Sequence, residues 1–532
     1  MGDLVVYLKP NVVLEPLYQQ WYAWPHLISP ATAAMNVLNR HLRIMDSYIK
    51  SPSMHERFAR DPKMLGSPFM ATAASRVEEV RLLRDRTRRD HGQMVDFANA
   101  VVELSALLQD AAVGYSLDEL YARVPEPLQG YVELFYDLDN HPSFRFLEPL
   151  LYRSPYYDES AQSVALYLIE KDGRPFVLST PRLGDDGALH LKLPFAHPGF
   201  DALFRMRTCP GSYCRTRDLL EITPEQEPLF RSFFTEEAPA PPLDHKQAGV
   251  QIKYFGHACV LVEYDGVALL TDPAISYTHE SEVPRYTYSD LPDHIDCVLI
   301  THNHQDHVLF ETLIQLRHRI GQVIVPRNSG GSLQDPSMKL MFEALGFRNV
   351  LQLEDLESVA LPACTITGVP FLGEHADLNI RSKIGYCVTL KDSLKILFVA
   401  DSCCAEPKIY HNVHAIVGDV DMLLLGMECD GAPLSWLYGP LLLRHLPREM
   451  DQSRRLSGSD CGRGMDLVNQ FNPSEVYVYA MGQEPWLRHI MALEYTPDSR
   501  PIVASNELIE ACRKRGIVAK RLFGREVIRG EC

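Results

Sequence analysis

The 532-residue sequence predicts an α/β protein in which a mixed α/β domain precedes a layered sandwich. After residue 250, short apolar strands alternate with helical segments and tight hairpins, which is typical of layered α/β folds. Before that point, apolar residues recur at three- and four-residue spacing over residues 30–50 and 75–108, which predicts helices. The chain is long enough for two or three domains, each with a core of its own.

The boundary between the two parts lies in residues 235–246, a segment rich in alanine and proline. Such a composition stiffens the chain into an extended, polyproline-like connection. We therefore predict an N-terminal mixed α/β domain over residues 1–245 and a catalytic domain over residues 246–532. The first domain contains no residue that can be assigned to chemistry, so dimerisation or docking of a partner is the expected role.

Turn residues locate several hairpins. Residues 164–169 and 175–180 flank a Lys-Asp-Gly tripeptide, which predicts a hairpin with an Asp-Gly turn. A second Asp-Gly pair, Asp186-Gly187, precedes an apolar strand over residues 189–193.

The second domain begins with another such signal, in which the apolar runs 259–264 and 267–271 flank Asp265-Gly266. A helix is predicted over residues 309–319. Further strands are predicted at residues 297–301, 323–325, 364–369, 384–390, 396–400, 422–425 and 476–479.

Composition excludes several classes of function. The 52 basic and 69 acidic residues give a net charge of −17, which argues against nucleic acid as a partner. The twelve cysteines form no dense framework, so reduced, buried thiols are expected. No run of about 18 apolar residues and no signal-peptide pattern occurs. We therefore expect a soluble, cytoplasmic protein with no membrane partner.

The strongest chemical signal is a group of three histidines and one aspartate within six residues, after a predicted strand: His302, His304, Asp306 and His307. In extended chain, residues two apart project to the same side, so His302 and His304 can hold one cation. Asp306 and His307 follow as the chain turns into a helix, and they can hold a second cation nearby. Clustered ionisable groups are costly without a counter-ion, which bound metals supply.

This HxHxDH spacing after a strand resembles the signature of the metallo-β-lactamase fold superfamily, over about residues 250–510. The resemblance implies an αββα sandwich for the second domain. Other landmarks of the superfamily follow in order. Residues 256–259 open the domain, and Asp272 matches an aspartate that supports a metal ligand. Asp401 matches the aspartate that bridges two metals, and His489 matches the last metal ligand.

One loop departs from the pattern of the superfamily's hydrolases, which usually supply a histidine as third ligand of the first metal. Here the loop contains both Glu374 and His375, and spacing does not choose between them. A Glu374 ligand gives two imidazoles and one carboxylate, the set typical of oxygen-activating non-haem iron. A His375 ligand favours a dizinc hydrolase of an ester, thioester, lactam or phosphodiester, with metal-bound hydroxide as nucleophile.

The whole layout is similar to a small group of diiron β-hydroxylases of nonribosomal peptide antibiotic biosynthesis, through its domain order, its proline-rich seam and the sequences HNHQDH and GEHAD. The resemblance implies two iron ions in an oxo-bridged cluster, O2 as co-substrate and an external electron donor. It also implies a carrier domain of a nonribosomal peptide synthetase as partner, bearing an amino acid as a thioester. In the chloramphenicol-type branch that amino acid is L-p-aminophenylalanine. The group uses the carboxylate of the GEH loop as a ligand, which implies this role for Glu374.

Glu428 and Asp430 follow a further predicted strand. They are candidates for supporting the metal ligands or for recognising a substrate amine, and structural roles are equally open. Tyr438 and Trp436 are candidates for an aromatic pocket, although core packing is the favoured interpretation.

Docking of an acidic carrier requires a local basic surface, and a homodimer is also possible. Six arginines on one helical segment are a candidate surface: Arg76, Arg81, Arg84, Arg86, Arg88 and Arg89. A solvated helix face, with these arginines paired to Glu78, Glu79 and Asp85, is the favoured alternative.

Overall fold

The computed structural model describes residues 4–184, 187–241, 249–391 and 393–529. The predicted domain boundary near residue 245 and the turn residue Asp186 lie outside these ranges. Within them, every helix is too short or too polar to span a bilayer.

The described residues form 23 strands and 17 α-helices. The strands are β1 Val5–Leu8, β2 Val12–Tyr18, β3 Trp21–Tyr22, β4 Val132–Tyr136, β5 Pro142–Phe146, β6 Gln162–Leu168, β7 Leu189–Leu191, β8 Gly211–Ser212, β9 Phe234–Thr235, β10 Gln251–Gly256, β11 Cys259–Tyr264, β12 Val267–Thr271, β13 Ile295–Leu299, β14 Ile320–Pro326, β15 Val350–Leu353, β16 Ser358–Ala360, β17 Cys364–Val369, β18 Gly385–Leu390, β19 Lys395–Phe398, β20 Met422–Gly426, β21 Glu475–Tyr479, β22 Val518–Arg521 and β23 Glu526–Arg529.

The helices are α1 Pro30–Asn36, α2 Arg43–Lys50, α3 Pro52–Ala59, α4 Val77–Asp90, α5 Gly92–Ala111, α6 Glu148–Leu151, α7 Pro198–Arg205, α8 Tyr213–Leu219, α9 Glu227–Ser232, α10 Phe310–Leu316, α11 Met338–Ala344, α12 Pro407–Val417, α13 Leu434–Tyr438, α14 Arg448–Ser453, α15 Cys461–Phe471, α16 Arg488–Met491 and α17 Arg500–Lys514.

Two seven-stranded sheets form the centre of the second domain. Their orders are β15-β14-β13-β12-β11-β10-β23 and β16-β17-β18-β19-β20-β21-β22. Apolar side chains from both sheets meet in one buried cluster, including Val260 and Leu269 from the first sheet and Ile366 and Ile396 from the second. Helices α10 and α11 pack outside the first sheet, and α12, α15 and α17 pack outside the second. The predicted αββα sandwich is confirmed.

The predicted strands of this domain are present, with ends shifted by a few residues. The hairpin at Asp265-Gly266 is confirmed, since Tyr264 pairs with Val267 across the turn. Strands β12 and β20 are buried on both faces, which explains their unbroken apolar sequences.

Both sheets have a parallel half, and this arrangement positions the site. Strands β12 to β15 run parallel in the first sheet, and β19 to β22 run parallel in the second. Segments that leave the carboxyl ends of neighbouring parallel strands emerge at the same edge of a sheet. The polar loops that follow β12, β13, β19, β20 and β21 therefore meet in one place.

The first domain combines helices with small sheets. Strands β3, β2, β6 and β7 form one sheet, β1 pairs with β8 and β9, and β4 pairs with β5. Helices α1 and α2 are joined by a π-helical turn into one helical rod, and α4 and α5 cover the second predicted helical region. The buried residues of α5 recur every three or four positions, as in Phe97, Val101, Leu104 and Leu108.

The hairpin predicted for residues 164–169 and 175–180 is wrong in its second strand. Strand β6 exists, but it pairs with β2 along its length and with β7 on its other edge. Residues 175–180 form no strand, because the segment from Arg174 to Arg182 instead brings two guanidinium groups to Glu15 on β2.

The six arginines on and beside α4 are all paired within the chain. Arg76 and Arg81 contact Glu79 and Glu78, and Arg84 contacts both Asp46 and Asp85. Arg88 contacts Asp46, Arg89 contacts Asp90, and Arg86 donates a hydrogen bond to Gln20. This pattern agrees with the solvated, internally paired helix face that the sequence favours.

A buried ion network joins the two domains. Glu15 accepts hydrogen bonds from Arg174 at 2.9 Å and from Arg182 at 2.8 Å, and Arg174 also contacts Glu311 of α10 at 2.9 Å. The Glu15 and Glu311 side chains are each 5% exposed. Burial alone would raise the pKa of Glu15, but the two arginines hold it at about 2. Because α10 begins three residues after His307, the first domain braces the helix that follows the predicted metal-binding motif.

Replacing Arg174 with methionine is expected to destabilise the protein by about 3–5 kcal/mol, because Glu15 and Glu311 then lose a shared buried counter-charge. Urea denaturation measures the change. Arg145→Met removes an exposed ion pair to Glu133 and is expected to cost below about 1 kcal/mol. Equal costs for the two variants would contradict a stabilising role for the buried network.

Candidate metal centre

Four residues in or next to the site have strained backbone. His257, Asp272, Glu374 and Ala400 all have φ between +31° and +62°, a region that residues other than glycine seldom adopt. Such strain concentrates at functional sites, where the surrounding fold holds the chain in place. The structure thus fixes several loops in the conformations that direct their polar groups inward.

One group of metal-ligating side chains consists of His302, His304 and Glu374. His304 Nδ1 lies 2.9 Å from Glu374 Oε1, and His302 Nε2 lies 3.7 Å from Glu374 Oε2. All three side chains are buried. The structure therefore brings a carboxylate, with two imidazoles, to the position that the sequence left open.

A second group consists of His302, His307 and Asp401. His307 Nε2 lies 3.0 Å from Asp401 Oδ2, and His302 Nε2 lies 4.0 Å from the same oxygen. One oxygen of Asp401 therefore faces both histidines, and its role as a bridge between two metals stays a prediction. A Cβ at Gly426 would collide with Asp401 Oδ1, so glycine is required there for the close approach of the two strands.

Asp272 supports this group from behind. Its carboxylate accepts hydrogen bonds from the Thr301 backbone N–H and hydroxyl, and from His307 Nδ1 at 2.9 Å. The proton on Nδ1 leaves the Nε2 lone pair of His307 directed into the site. A carboxylate that orients a metal-ligating histidine in this way is common in metalloproteins.

A third group consists of His257, Asp306 and His307. His257 Nε2 lies 3.1 Å from Asp306 Oδ2, and His257 Nδ1 accepts a hydrogen bond from the Gly482 N–H. Accepting at Nδ1 places the proton of a neutral ring on Nε2, beside the Asp306 carboxylate. His257 was not among the predicted ligands, although its position after a strand and a glycine was the available signal.

His489 requires a correction, because the structure does not bring it to this cluster. Its Nε2 lies 3.9 Å from Glu311 Oε2, and its ring packs edge-on against Tyr22. The chain after β21 turns into a short 3₁₀ segment and α16, which directs His489 toward the interdomain ion network instead of the metal groups. Burial lowers the pKa of His489 well below its usual range, with Arg174 adding to this effect.

His375 lies beside the cluster but outside each of the three groups. Its ring stacks on that of His304 with centroids 4.4 Å apart, and its Nδ1 lies 3.2 Å from Glu374 Oε2. The positive φ of Glu374 turns the two adjacent side chains in different directions. Glu374 faces His302 and His304, whereas the His375 ring stacks on that of His304.

The donor set fits a pair of cations. Within the described ranges, His302 Nε2, Glu374 Oε2 and Asp401 Oδ1 are buried atoms that lack a hydrogen-bond partner. Burial raises the pKa of Glu374 to about 7, although His304 opposes the shift, and burial with His307 lowers the pKa of His302. Neutral imidazoles and unpartnered carboxylates are the groups that metal ions bind. The mixture of nitrogen and oxygen donors, without sulfur, suits iron.

Tyr438 makes a contact that the sequence did not reveal. Its hydroxyl lies 2.9 Å from His304 Nε2, and its side chain is 2% exposed. The Nδ1 of His304 faces Glu374, so a lone pair on Nδ1 places the proton of the neutral ring on Nε2. The Nε2–H then donates a hydrogen bond to the Tyr438 oxygen. No local pattern around Tyr438 indicates this contact, since 134 positions separate the two residues.

A cavity of about 300 Å³ opens beside the metal groups. His304, Asp306, Glu374 and Asp401 lie at one end, with Glu428 and Asp430 nearby. The remaining walls are largely apolar and include Trp436, Leu437, Leu456, Met481 and Met491. Leu65 and Gly66 of the first domain also line the cavity, so both domains enclose the space beside the cluster.

Family comparisons agree with this architecture. Residues 7–239 match the family described as the diiron non-heme beta-hydroxylase N-terminal domain, and residues 251–428 match the beta-lactamase superfamily domain. Short stretches also resemble hydrolases. One of 59 residues is 44% identical to a UPF0173 metal-dependent hydrolase of Pyrobaculum aerophilum, covering 11% of this chain and 25% of that protein.

A full-length relative is the 4-amino-L-phenylalanyl-[CmlP-peptidyl-carrier-protein] 3-hydroxylase of Streptomyces venezuelae. It is 38% identical, and the match covers 98% of this chain and 99% of that protein. The crystal structure of CmlA, a diiron beta-hydroxylase from Streptomyces venezuelae, superimposes with a TM-score of 0.93 at 37% identity, covering 99% of this chain and 100% of that one. The chain is therefore an enzyme that belongs to the family of diiron non-haem β-hydroxylases.

Proposed function

We propose that this enzyme uses O2 and external electrons to hydroxylate the β-carbon of an aromatic amino acid, held as a thioester on a carrier domain of a nonribosomal peptide synthetase. L-p-Aminophenylalanine, as in chloramphenicol-type biosynthesis, is the proposed amino acid. The name of the full-length relative supports both the reaction and the carrier-bound substrate. The observation that carries the proposal is the placement of Glu374 against His302 and His304.

We propose six ligands that hold the irons, without His489, and we assign His257 a supporting role through its Nε2–H beside Asp306. The six ligands are His302, His304, Asp306, His307, Glu374 and Asp401. When bound, the iron pair supplies the oxidising power for O2-dependent cleavage of a C–H bond.

The chain's own residues perform the remaining tasks. Asp272 holds a proton on His307 Nδ1, and the Tyr438 hydroxyl holds the orientation of His304. The apolar walls of the cavity exclude water and position an aromatic side chain beside the cluster. A thioester on a carrier domain must reach this cavity from the surface. Residues of both domains line the cavity, so the proposed path of entry runs between the domains.

Purification without chelator or added zinc is expected to give about two irons per chain. The visible spectrum is expected to show the absorption of an oxo-bridged ferric pair. Elemental analysis and absorption spectroscopy make the measurement. Stoichiometric zinc in a colourless protein would instead support a dizinc hydrolase, and the proposal would then be withdrawn.

Glu374→Ala and His375→Ala form a matched pair that tests the ligand assignment. Glu374→Ala is expected to lose at least one of the two irons, because it removes a carboxylate that faces both histidines of the first group. His375→Ala is expected to retain both irons. Iron content measured per folded chain decides the matter, and iron loss in the His375 variant alone would refute the assignment.

Tyr438→Phe is expected to weaken iron retention or turnover about 10- to 100-fold, because it removes the partner that orients His304. Competition with a chelator and turnover of carrier-loaded substrate measure the two effects. Tyr48→Phe is the control, since it removes a buried tyrosine hydroxyl that donates to Ala73 in the first domain. Unchanged chelator resistance together with unchanged turnover would show that Tyr438 has no positioning role.

A further inference from the structure

Glu428 is an acidic residue beside the metal groups that the metal ligation leaves unused. It lies two positions after the end of β20, and its backbone carbonyl accepts a hydrogen bond from Gly458 N–H at 2.8 Å. Its Oε1 accepts the Asp430 N–H at 3.1 Å. Its Oε2 is buried without a hydrogen-bond partner among the described residues, and the side chain lines the cavity.

Among the described residues, no group makes a hydrogen bond to this oxygen. The Arg455 guanidinium approaches Asp430 at 3.8 Å and donates to Gln452, and its positive charge acts on Glu428 without a hydrogen bond. Burial raises the pKa of Glu428 to about 8, the carboxylates of Asp430 and Asp401 add to the rise, and the Asp430 N–H and Arg455 oppose it. An ionised carboxylate that is buried without a hydrogen-bond partner is unfavourable. A bound ligand that donates a hydrogen bond to Glu428 Oε2 would offset this free-energy cost.

The position of Glu428 near the metal groups indicates which group of the substrate donates a hydrogen bond to it. A Cβ built on Gly458 would lie 3.1 Å from the Asp401 carbonyl oxygen and 3.6 Å from that of Glu428, so the two loops are adjacent. A substrate that presents its β-carbon at the metal groups places its α-nitrogen two bonds from that carbon. The aryl amine of p-aminophenylalanine lies at the other end of the side chain, across the ring from the β-carbon, so the α-nitrogen is the nearer amine to the metal groups.

We propose that the Glu428 carboxylate binds the α-ammonium group of the carrier-bound aminoacyl thioester and makes the enzyme selective for substrates that carry this group. This inference rests on the proposed function. It adds the chemical feature by which the substrate is recognised. Glu428 fixes the nitrogen, and through it the direction in which the β-carbon faces the cluster.

The test compares two carrier-loaded substrates, L-p-aminophenylalanyl and 3-(4-aminophenyl)propanoyl, which differ only in the α-amine. The wild-type enzyme is expected to favour the aminoacyl substrate in kcat/KM by about 10- to 100-fold, the value of a hydrogen bond to a charged group. Glu428→Gln is expected to lose this preference by slowing the aminoacyl substrate alone. Its iron content and visible spectrum are expected to match those of the wild type.

Two further variants serve as controls. Glu510→Gln makes the same chemical change at an exposed carboxylate on α17, away from the cavity, and is expected to keep the preference. Glu428→Asp retains the charge on a shorter side chain, and an intermediate preference with full iron content is expected. If Glu428→Gln folds poorly, the aspartate variant carries the test, and an unchanged preference in it would overturn the proposal.

Other outcomes separate this inference from the proposed function. Equal hydroxylation of both substrates by the wild type would overturn the role of Glu428 while the hydroxylase function stands. Equal slowing of both substrates by Glu428→Gln, with iron retained, would also overturn it. Including a phenylalanyl carrier reveals whether the variant changes selectivity at the aryl amine instead, which would contradict α-ammonium binding. If the iron-loaded wild type hydroxylates none of these substrates, the proposed function itself fails.

Discussion

A buried concentration of imidazoles and carboxylates is the constraint on which the rest of the structure depends. His302, His307, Glu374 and Asp401 lie within a few ångströms of one another and are sheltered from water. Such a cluster is unfavourable unless cations neutralise it. The parallel strand ends, the left-handed backbone at Glu374 and at Ala400 next to Asp401, and the glycine beside Asp401 all serve to bring the groups together.

Much of the second domain could be predicted from its sequence, because its strands, turns and histidine motif are each marked by residues close together in the chain. Apolar runs of four to six residues fixed most strands, and Asp265-Gly266 fixed a hairpin. His302, His304, Asp306 and His307 lie within a single loop, so their spacing was enough to predict a metal centre. Asp272 and Asp401 follow buried strands directly, and in the structure both carboxylates contact the ring of His307.

The errors arose where position depends on contacts between distant segments. His489 follows a strand of the sheet, but the direction of the connecting chain sends it to Glu311 and Tyr22. Residues 175–180 have the composition of a strand, yet the arginines on either side are held at Glu15. Spacing alone left Glu374 and His375 as alternatives, because the directions of adjacent side chains in this loop depend on positive φ angles that spacing does not express.

The network of Glu15, Arg174 and Glu311 has a consequence for how the enzyme matures. Helix α10 lies directly behind the histidine motif, and its partners come from residues synthesised well over a hundred positions earlier. The surface that receives α10 has therefore left the ribosome before the metal-binding loop is made. Glu15 and Arg174 can therefore be in place before α10 is synthesised, and they offer Glu311 a counter-charge when the helix docks.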